Sequence, residues 1–310
     1  MVMRITTAYT HGASLDNLQR RQGQLADAQD RLTSGKRVSK ASDDPTAAAR
    51  AERAMASVNR TEANLRALEA SRTAMQQTEV ALGDANDLLQ EVRELIVSAG
   101  NASYSDAERN TVAIALRGLR TQLLSVANRS DGAGGYLFGG QGSTSAPFID
   151  AAGGVQFIGT TGALRAATDE PLPLTVDGRA AWLGAADPGG GPDISLFTVI
   201  DTLVTTLETS GQTSTQVVAA VHGSLGQLDA AMSNVLTWRA RSGESLNRAE
   251  SMEERLADVK LVAQGQRADA EDLDMVQAIS DFQSRQTGYE AALKTYSMVQ
   301  RLSLFDYIGR

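Results

Sequence analysis

Residues 46–98 read TAAARAERAMASVNRTEANLRALEASRTAMQQTEVALGDANDLLQEVRELIVS, and this stretch decides the fold. An apolar residue recurs there every seven positions, in a seam made of Leu68, Met75, Leu82, Leu89 and Ile96. The stretch lacks proline, so it predicts one continuous helix roughly 80 Å long at a rise of about 1.5 Å per residue. A helix of that length cannot be the core of a globular domain, and it must pack along other long helices.

Proline and glycine divide the chain into two helical arms and a different middle. The six prolines stand at Pro45 or between Pro147 and Pro192, and 15 of the 28 glycines fall between Gly132 and Gly191. Proline is poorly tolerated inside helices, so the proline-free arms on either side can hold long helices. The second arm carries its own apolar stripe, which runs through Ile200, Val221, Val235, Leu256 and Val259.

The middle of the chain predicts a small β-rich insert. The runs 155–158 (VQFI) and 172–176 (LPLTV) are β-prone, and Asp177-Gly178 is a turn signal. We expect three or more strands, with edge positions next to the prolines. If the two helical arms run side by side, the insert should be dispensable for the helical core.

Short polar motifs mark the expected helix ends. The segment 42–45 (SDDP) predicts a helix start, because acidic residues and proline are favoured in a first turn. Gly100-Asn101 predicts a stop, and Ser105 with Glu108 forms the S-x-x-E capping box of the next helix. A further break is expected at 210–213 (SGQT).

Both ends of the chain carry coiled-coil seams. Leucines recur every seven residues near the start, but Gln22 and Gln29 occupy the intervening positions, and a buried glutamine needs a hydrogen-bonding partner. Near the end, core positions follow at alternating spacings of four and three residues from Met275 to Gln300, which is a strict heptad. We expect a subunit interface whose candidate residues are Leu18, Leu25, Leu32, Ile279, Phe282, Tyr289, Leu293, Tyr296, Phe305 and Tyr307.

The sequence therefore predicts a mainly α fold of discontinuous domains, with long antiparallel helices, a terminal coiled coil and a small β-rich insert. Residues 1–43 and 269–310 are expected to form the terminal coiled-coil assembly domain. Residues 44–138 and 194–268 are expected to form a long-helix rod domain, and residues 139–193 the outward insert. The terminal segments should be mobile in an isolated monomer, because their seams then lack a partner.

Composition excludes several functional classes. The 310 residues include no cysteine and two histidines, which excludes disulfides, thiolate metal sites and a cysteine nucleophile. The net charge of −8 argues against non-specific nucleic-acid binding. The sequence shows neither a secretory signal nor an apolar run long enough to insert into a membrane.

The sequence contains no residue set with catalytic, cofactor-binding or metal-binding spacing. The glycines between Gly132 and Gly142 lack the spacing of phosphate-binding loops. Asp43 and Asp44 could suggest a metal site, but acidic residues favoured by the helix dipole are the stronger interpretation. We therefore expect no enzyme activity, no cofactor and no metal.

Three segments resemble the flagellin superfamily. Residues 31–38 (RLTSGKRV), followed by SDDP, are similar to the loop that leaves the N-terminal coiled coil of flagellins and their junction relatives. Residues 134–140 (GGYLFGG) resemble a helix exit of the hook-filament junction branch of this superfamily. Residues 302–308 (LSLFDYI) resemble the end of that branch, whereas flagellins usually end in a leucine-rich tail.

The resemblance implies a structural adaptor that joins the hook to the filament of the bacterial flagellum. It implies an extracellular protein, exported without a cleaved signal peptide by the flagellar type III apparatus with the help of an export chaperone. The implied partners are other copies in a ring zone, a neighbouring hook-associated protein and flagellin.

Two other functions stay open at this point. Flagellin itself, the filament subunit, is the closest alternative, and it would polymerise alone into long filaments. An exported adhesin or signalling ligand would carry its activity in the insert.

Overall fold

The computed structural model describes the backbone from Val2 to Ile308 and the side chains of Tyr9 and of residues 12–298. Over this range the elements, in chain order, are α1 (Val2–Ser34), α2 (Pro45–Ala99), α3 (Asp106–Ala127), β1 (Phe148–Ala151), β2 (Gly154–Phe157), α4 (Gly178–Trp182), α5 (Leu196–Glu208), α6 (Ser214–Glu271) and α7 (Met275–Ile308). The predicted mainly α fold is confirmed. Among the described residues, no helix is both long enough and apolar enough to cross a membrane.

The long helix predicted from the heptad seam is α2, which begins at Pro45 and ends at Ala99. Its seam is buried, since Leu68 and Met75 are 2% exposed and the later three seam residues are fully covered. The second long helix, α6, lies antiparallel to α2. Ion pairs join the two helices at Arg72–Glu253 (3.0 Å) and Arg93–Asp229 (2.9 Å). The predicted antiparallel arrangement of long helices is therefore confirmed.

The predicted caps are also observed. At the start of α3, the Ser105 hydroxyl accepts a hydrogen bond from the Glu108 amide, and the Glu108 carboxylate accepts one from the Ser105 amide. The break predicted at 210–213 separates α5 from α6. There Thr213 and Gln216 exchange hydrogen bonds in the same reciprocal way. Local sequence therefore specifies these helix ends.

The chain folds as two compact units. Unit 1 comprises Met1–Thr61 and Asp258–Arg310, and unit 2 comprises Glu62–Ala257. Helices α2 and α6 contribute to both units. The three-domain division expected from the sequence stays a prediction.

The insert differs from the expectation of three or more strands. In the described part of the chain it contains one antiparallel hairpin, β1 and β2, with Phe148 opposite Phe157. The run 172–176 forms no strand, and its Pro173 makes an isolated bridge with Arg165. Asp177 does not mark a turn. Its carboxylate accepts a hydrogen bond from the Ala180 amide and caps α4.

The insert supplies the aromatic centre of unit 2. Trp182 packs edge-on against Phe138, with ring centroids 5.3 Å apart, and stacks on Phe197 of α5 at 6.1 Å. Phe148 of β1 lies 6.4 Å from both Trp182 and Phe197. These rings belong to the same buried cluster as the seam residues of α2 from Met75 onward. The burial of its largest side chains in that core argues against the expectation that the insert is dispensable for the helical core.

An arginine joins the hairpin to the helices from outside the core. Arg120 of α3 donates to both carboxylate oxygens of Asp150 in β1, at 2.6 and 2.8 Å. The same guanidinium donates to Asp201 of α5 at 3.0 Å. These hydrogen bonds and the positive charge of Arg120 lower the pKa of Asp150. The hairpin is thus held against the helices by burial of its apolar side chains and by an arginine that pairs with two carboxylates.

Replacement of Trp182 by alanine tests the role of the insert in the core. We expect Trp182→Ala to lower the free energy of unfolding by about 3–5 kcal/mol, because a large ring is removed from a closely packed cluster. Urea denaturation of the full chain, followed by far-ultraviolet circular dichroism, measures this change. The control Ile158→Ala, at a side chain that is 53% exposed, should change it by less than about 0.5 kcal/mol. Equal, small effects of both variants would show that the insert is energetically separate from the helices.

Candidate assembly interface

Helices α1 and α7 of unit 1 pack against each other as an antiparallel pair. The Arg285 guanidinium of α7 donates to the backbone carbonyl of Gln24 in α1 at 3.3 Å. Gly288 lies beside Arg21, so close that a β-carbon at position 288 would be 2.9 Å from Nη1. Two segments from opposite ends of the chain therefore form one two-helix element.

The N-terminal seam is half-covered in this pair. Leu18, Leu25 and Leu32 are half-buried along one line of α1. Gln22 and Gln29, which occupy the intervening heptad positions, are exposed. Within a single chain these glutamines keep contact with water, so no buried amide needs a partner.

The C-terminal heptad divides into a covered line and an open line. Phe282, Tyr289 and Tyr296 are half-buried, whereas Ile279 and Leu293 are 46% and 41% exposed. The remaining two candidate residues, Phe305 and Tyr307, have side chains outside the described residues. In one chain, therefore, half of the heptad seam lacks an apolar cover.

Unit 1 has a thin core. In its described part, the buried apolar residues are alanines and valines: Val38, Ala47, Ala51, Ala54, Val58, Ala263 and Ala270. Its exposed large apolar side chains are more numerous: Tyr9, Leu15, Met55, Val259, Leu261, Val262, Met275, Val276, Ile279, Leu293 and Met298. In its described part, unit 1 therefore leaves more large apolar side chains exposed than it buries.

The motif that follows α1 closes the base of the helix pair. Gly35 has a φ of 68° and ends α1, and its amide donates to the Arg31 carbonyl at 2.9 Å. The Arg37 amide then donates to the Glu271 carbonyl at 2.7 Å, and the Leu273 amide donates to the Gly35 carbonyl at 3.0 Å. These bonds hold the α1–α2 loop against the junction between α6 and α7.

Charged side chains reinforce this junction. The Glu271 carboxylate lies 3.2 Å from the Lys36 ammonium and accepts a hydrogen bond from Arg267 at 2.7 Å. The Arg37 guanidinium donates to the Ala270 carbonyl at 2.8 Å. Sequence reasoning missed this junction, although Asp274 offered a signal. Its carboxylate accepts hydrogen bonds from two amides of the first turn of α7 and caps the helix.

Asp43 and Asp44 order the loop before α2. The Asp44 carboxylate accepts hydrogen bonds from the amides of Thr46 and Ala47, both at 3.0 Å, and so caps α2. The Asp43 carboxylate accepts hydrogen bonds from the amides of Lys40 and Ser39. These backbone hydrogen bonds lower the pKa of both carboxyl groups. The interpretation as a helix-start acid is confirmed for Asp44, whereas Asp43 binds amides of the preceding loop.

The lowered pKa values make the stability of the loop depend on pH in the acidic range. Each carboxylate contributes its stabilisation at pH values above the ordinary aspartate pKa of 3.8, and the contribution is lost as the pH falls through the lower folded-state pKa.

In the described part of the chain, no group of three or more acidic or histidine side chains could hold a metal ion.

Comparisons with known proteins agree with this architecture. The profile of the bacterial flagellin N-terminal helical region matches residues 5–143. Flagellar hook-associated protein 3 of Escherichia coli (strain K12) is 28% identical over 316 residues, which cover 98% of this chain and 99% of that protein. Flagellin 1 of Proteus mirabilis is 31% identical over 112 residues, which cover 36% of this chain and 31% of that flagellin.

A solved structure shares the fold. The flagellar junction protein FlgL of Legionella pneumophila superposes with a TM-score of 0.60 at 18% identity, covering 72% of this chain and 100% of that one. The resemblance to the flagellin superfamily is therefore confirmed. The similarity to hook-associated protein 3 extends over nearly the whole chain, whereas the similarity to flagellin 1 covers about a third of it.

Gly23 within α1 and Gly35 directly after it provide a matched test of the backbone conformation at the end of the helix. Gly35→Ala should destabilise the helix exit by about 1–2 kcal/mol, because a β-carbon is strained at positive φ. Gly23→Ala, within α1, should instead stabilise the helix by up to about 1 kcal/mol. A β-carbon would meet no atom within 4 Å at either position, so only the backbone conformation differs. Amide hydrogen exchange of residues 18–32 in the full chain measures both effects. Changes of the same sign would contradict the assigned helix exit.

Proposed function

We propose that this chain, which resembles hook-associated protein 3 over nearly its whole length, is a structural adaptor that joins the hook to the filament of the bacterial flagellum. The single observation that carries the proposal is the match to that protein over 98% of this chain and 99% of the relative. The match includes both helical arms and the insert, and not the helical region alone. A structural role without catalysis is also consistent with the exposed apolar surface of unit 1.

The proposed mechanism is association coupled to ordering of the terminal helices. Copies would associate through the open heptad line of α7 and the half-buried seam of α1. A two-helix pair with half of its seam uncovered is marginal alone, because most helix stability comes from burial of an apolar face. Neighbouring copies would supply that burial, and the ordering of the helices would be linked to association.

The proposed partners are other copies in a ring zone, a neighbouring hook-associated protein and flagellin. Before assembly, an export chaperone would bind the chain and the flagellar type III apparatus would export it. The proposed location is the extracellular flagellum. The absence of cysteine is compatible with export, since no disulfide has to form outside the cell.

Flagellin remains the alternative function. A filament subunit needs upper and lower surfaces that complement each other, so that a head-to-tail contact repeats without limit. An adaptor needs surfaces that favour two different neighbours and disfavour repeated self-contact. The limited similarity to flagellin 1 supports the adaptor, because most of the flagellin chain lies outside the matched region.

Immunogold labelling of intact flagella tests the adaptor against the flagellin alternative. We expect one labelled band at the base of the filament. The purified protein should form at most short oligomers under salting-out conditions that polymerise flagellin. Label along the whole filament, or long filaments of this protein alone, would support the flagellin alternative.

The open heptad line of α7 provides a second test. We expect Ile279→Ser combined with Leu293→Ser to abolish filament attachment in a strain that depends on this chain, and to change monomer unfolding by less than about 0.5 kcal/mol per site. A matched control is Ile114→Ser, which removes an exposed apolar side chain of unit 2. It should leave attachment intact. Normal swimming and attachment with the α7 variant would exclude this line as the interface.

A further inference from the structure

Residues 164–174 fold back on themselves in unit 2 as a narrow arm that contains an isolated bridge and no strand. The Ala166 amide donates to the Leu172 carbonyl at 2.8 Å, and the Leu174 amide donates to the Leu164 carbonyl at 2.7 Å. Arg165 and Pro173 make an isolated antiparallel bridge between these two bonds. Only these few backbone hydrogen bonds therefore join the two sides of the arm.

One side of the arm covers a small apolar cluster on the two long helices. Leu172 is completely buried against Leu68 of α2 and against Ala249 and Met252 of α6. This cluster is separate from the main core, which contains the aromatic rings and the α2 seam from Met75 onward. The cover over Leu68 and Met252 thus depends on one leucine of the arm.

Polar contacts hold the tip in place at the protein surface. The Ser71 hydroxyl donates to the Pro173 carbonyl at 2.6 Å, and the Asn64 amide donates to the Asp169 carboxylate at 3.2 Å. The Glu170 carboxylate accepts from Arg248 at 2.6 Å and from Arg255 at 3.1 Å. Glu170 and Arg248 are about half exposed and Arg255 is more exposed, and ion pairs in such positions contribute little to stability.

We propose that the 164–174 arm is a latch that opens as a unit while the main core of unit 2 stays folded. Opening removes Leu172 from its cluster and exposes Leu68 and Met252 to solvent. The free energy of a local opening follows the apolar surface and the hydrogen bonds that it disrupts. The arm disrupts a cluster of four buried residues, whereas unfolding of the main core disrupts a cluster many times larger. The arm is therefore a locally opening element built into the fold.

A buried thiol reports this opening directly, because the chain has no cysteine of its own. In the full chain, Leu172→Cys places one thiol in the arm, and Leu89→Cys places one in the main core; both leucines are fully buried. With an excess of a thiol reagent, we expect the variant at position 172 to be labelled at least about 100-fold faster. Its labelling rate should also depend only weakly on low urea concentrations, because local opening exposes little surface. Equal rates with equal urea dependence would overturn the proposal.

Hydrogen exchange of the unaltered chain provides an independent measurement, since either cysteine variant could perturb packing. The amides of Ala166 and Leu174 should exchange through an opening that costs less free energy than that of the α2 core amides. Glu170→Gln should accelerate exchange at these two amides severalfold and leave the α2 core unchanged. The control Asp229→Asn removes an exposed α2–α6 ion pair elsewhere and should leave the arm unaffected. Arm amides that exchange only together with the α2 core amides, or an equal acceleration of arm and α2 core amides by Glu170→Gln, would overturn the proposal.

Discussion

Burial of the heptad seam of α2 is the constraint on which the rest of the structure depends. A helix of 55 residues cannot bury one face against itself, so it needs long neighbours along its whole length. Helix α6, with 58 residues, meets that need, and ion pairs join the two helices in an antiparallel register. The placement of α3, α5 and the insert in unit 2 follows, because together they cover the seam from Met75 to Ile96.

The two units solve the burial problem differently. Unit 2 contains all the buried leucine, isoleucine, methionine, phenylalanine and tryptophan side chains of the described residues, so most of the apolar burial in the described structure lies within it. Unit 1 buries alanines and valines and leaves its larger apolar side chains exposed. This contrast supports the proposed division of roles, in which unit 2 is a folded body and unit 1 associates with neighbouring subunits. Because unit 1 buries few large apolar side chains, the ion pair and hydrogen bonds of Glu271 help to define the geometry of this unit.

The insert shows how tertiary packing can reverse an interpretation of sequence. Its glycines and prolines predict a loop-rich appendage, and two strands do form there. However, the rings of Phe148 and Trp182 pack against Phe138 and Phe197, so the insert completes the core of unit 2. The arm at 164–174 is the part of the insert region whose buried side chain lies outside that core, which is why it alone is expected to open locally.

The sequence by itself determined the long helices, several of their ends and the heptad seams, because these depend on local periodicity and on caps such as Ser105–Glu108 and Asp44. It did not determine the junction between α6 and α7. It also predicted the candidate interface residues, which remain a prediction. Tertiary structure alone decided which heptad line of α7 is covered by α1 and which stays open. It also brought Arg37 to Glu271 and Trp182 to Phe197. Such contacts join residues far apart in the chain, and they depend on the shape and distance of packed elements, which no local pattern encodes.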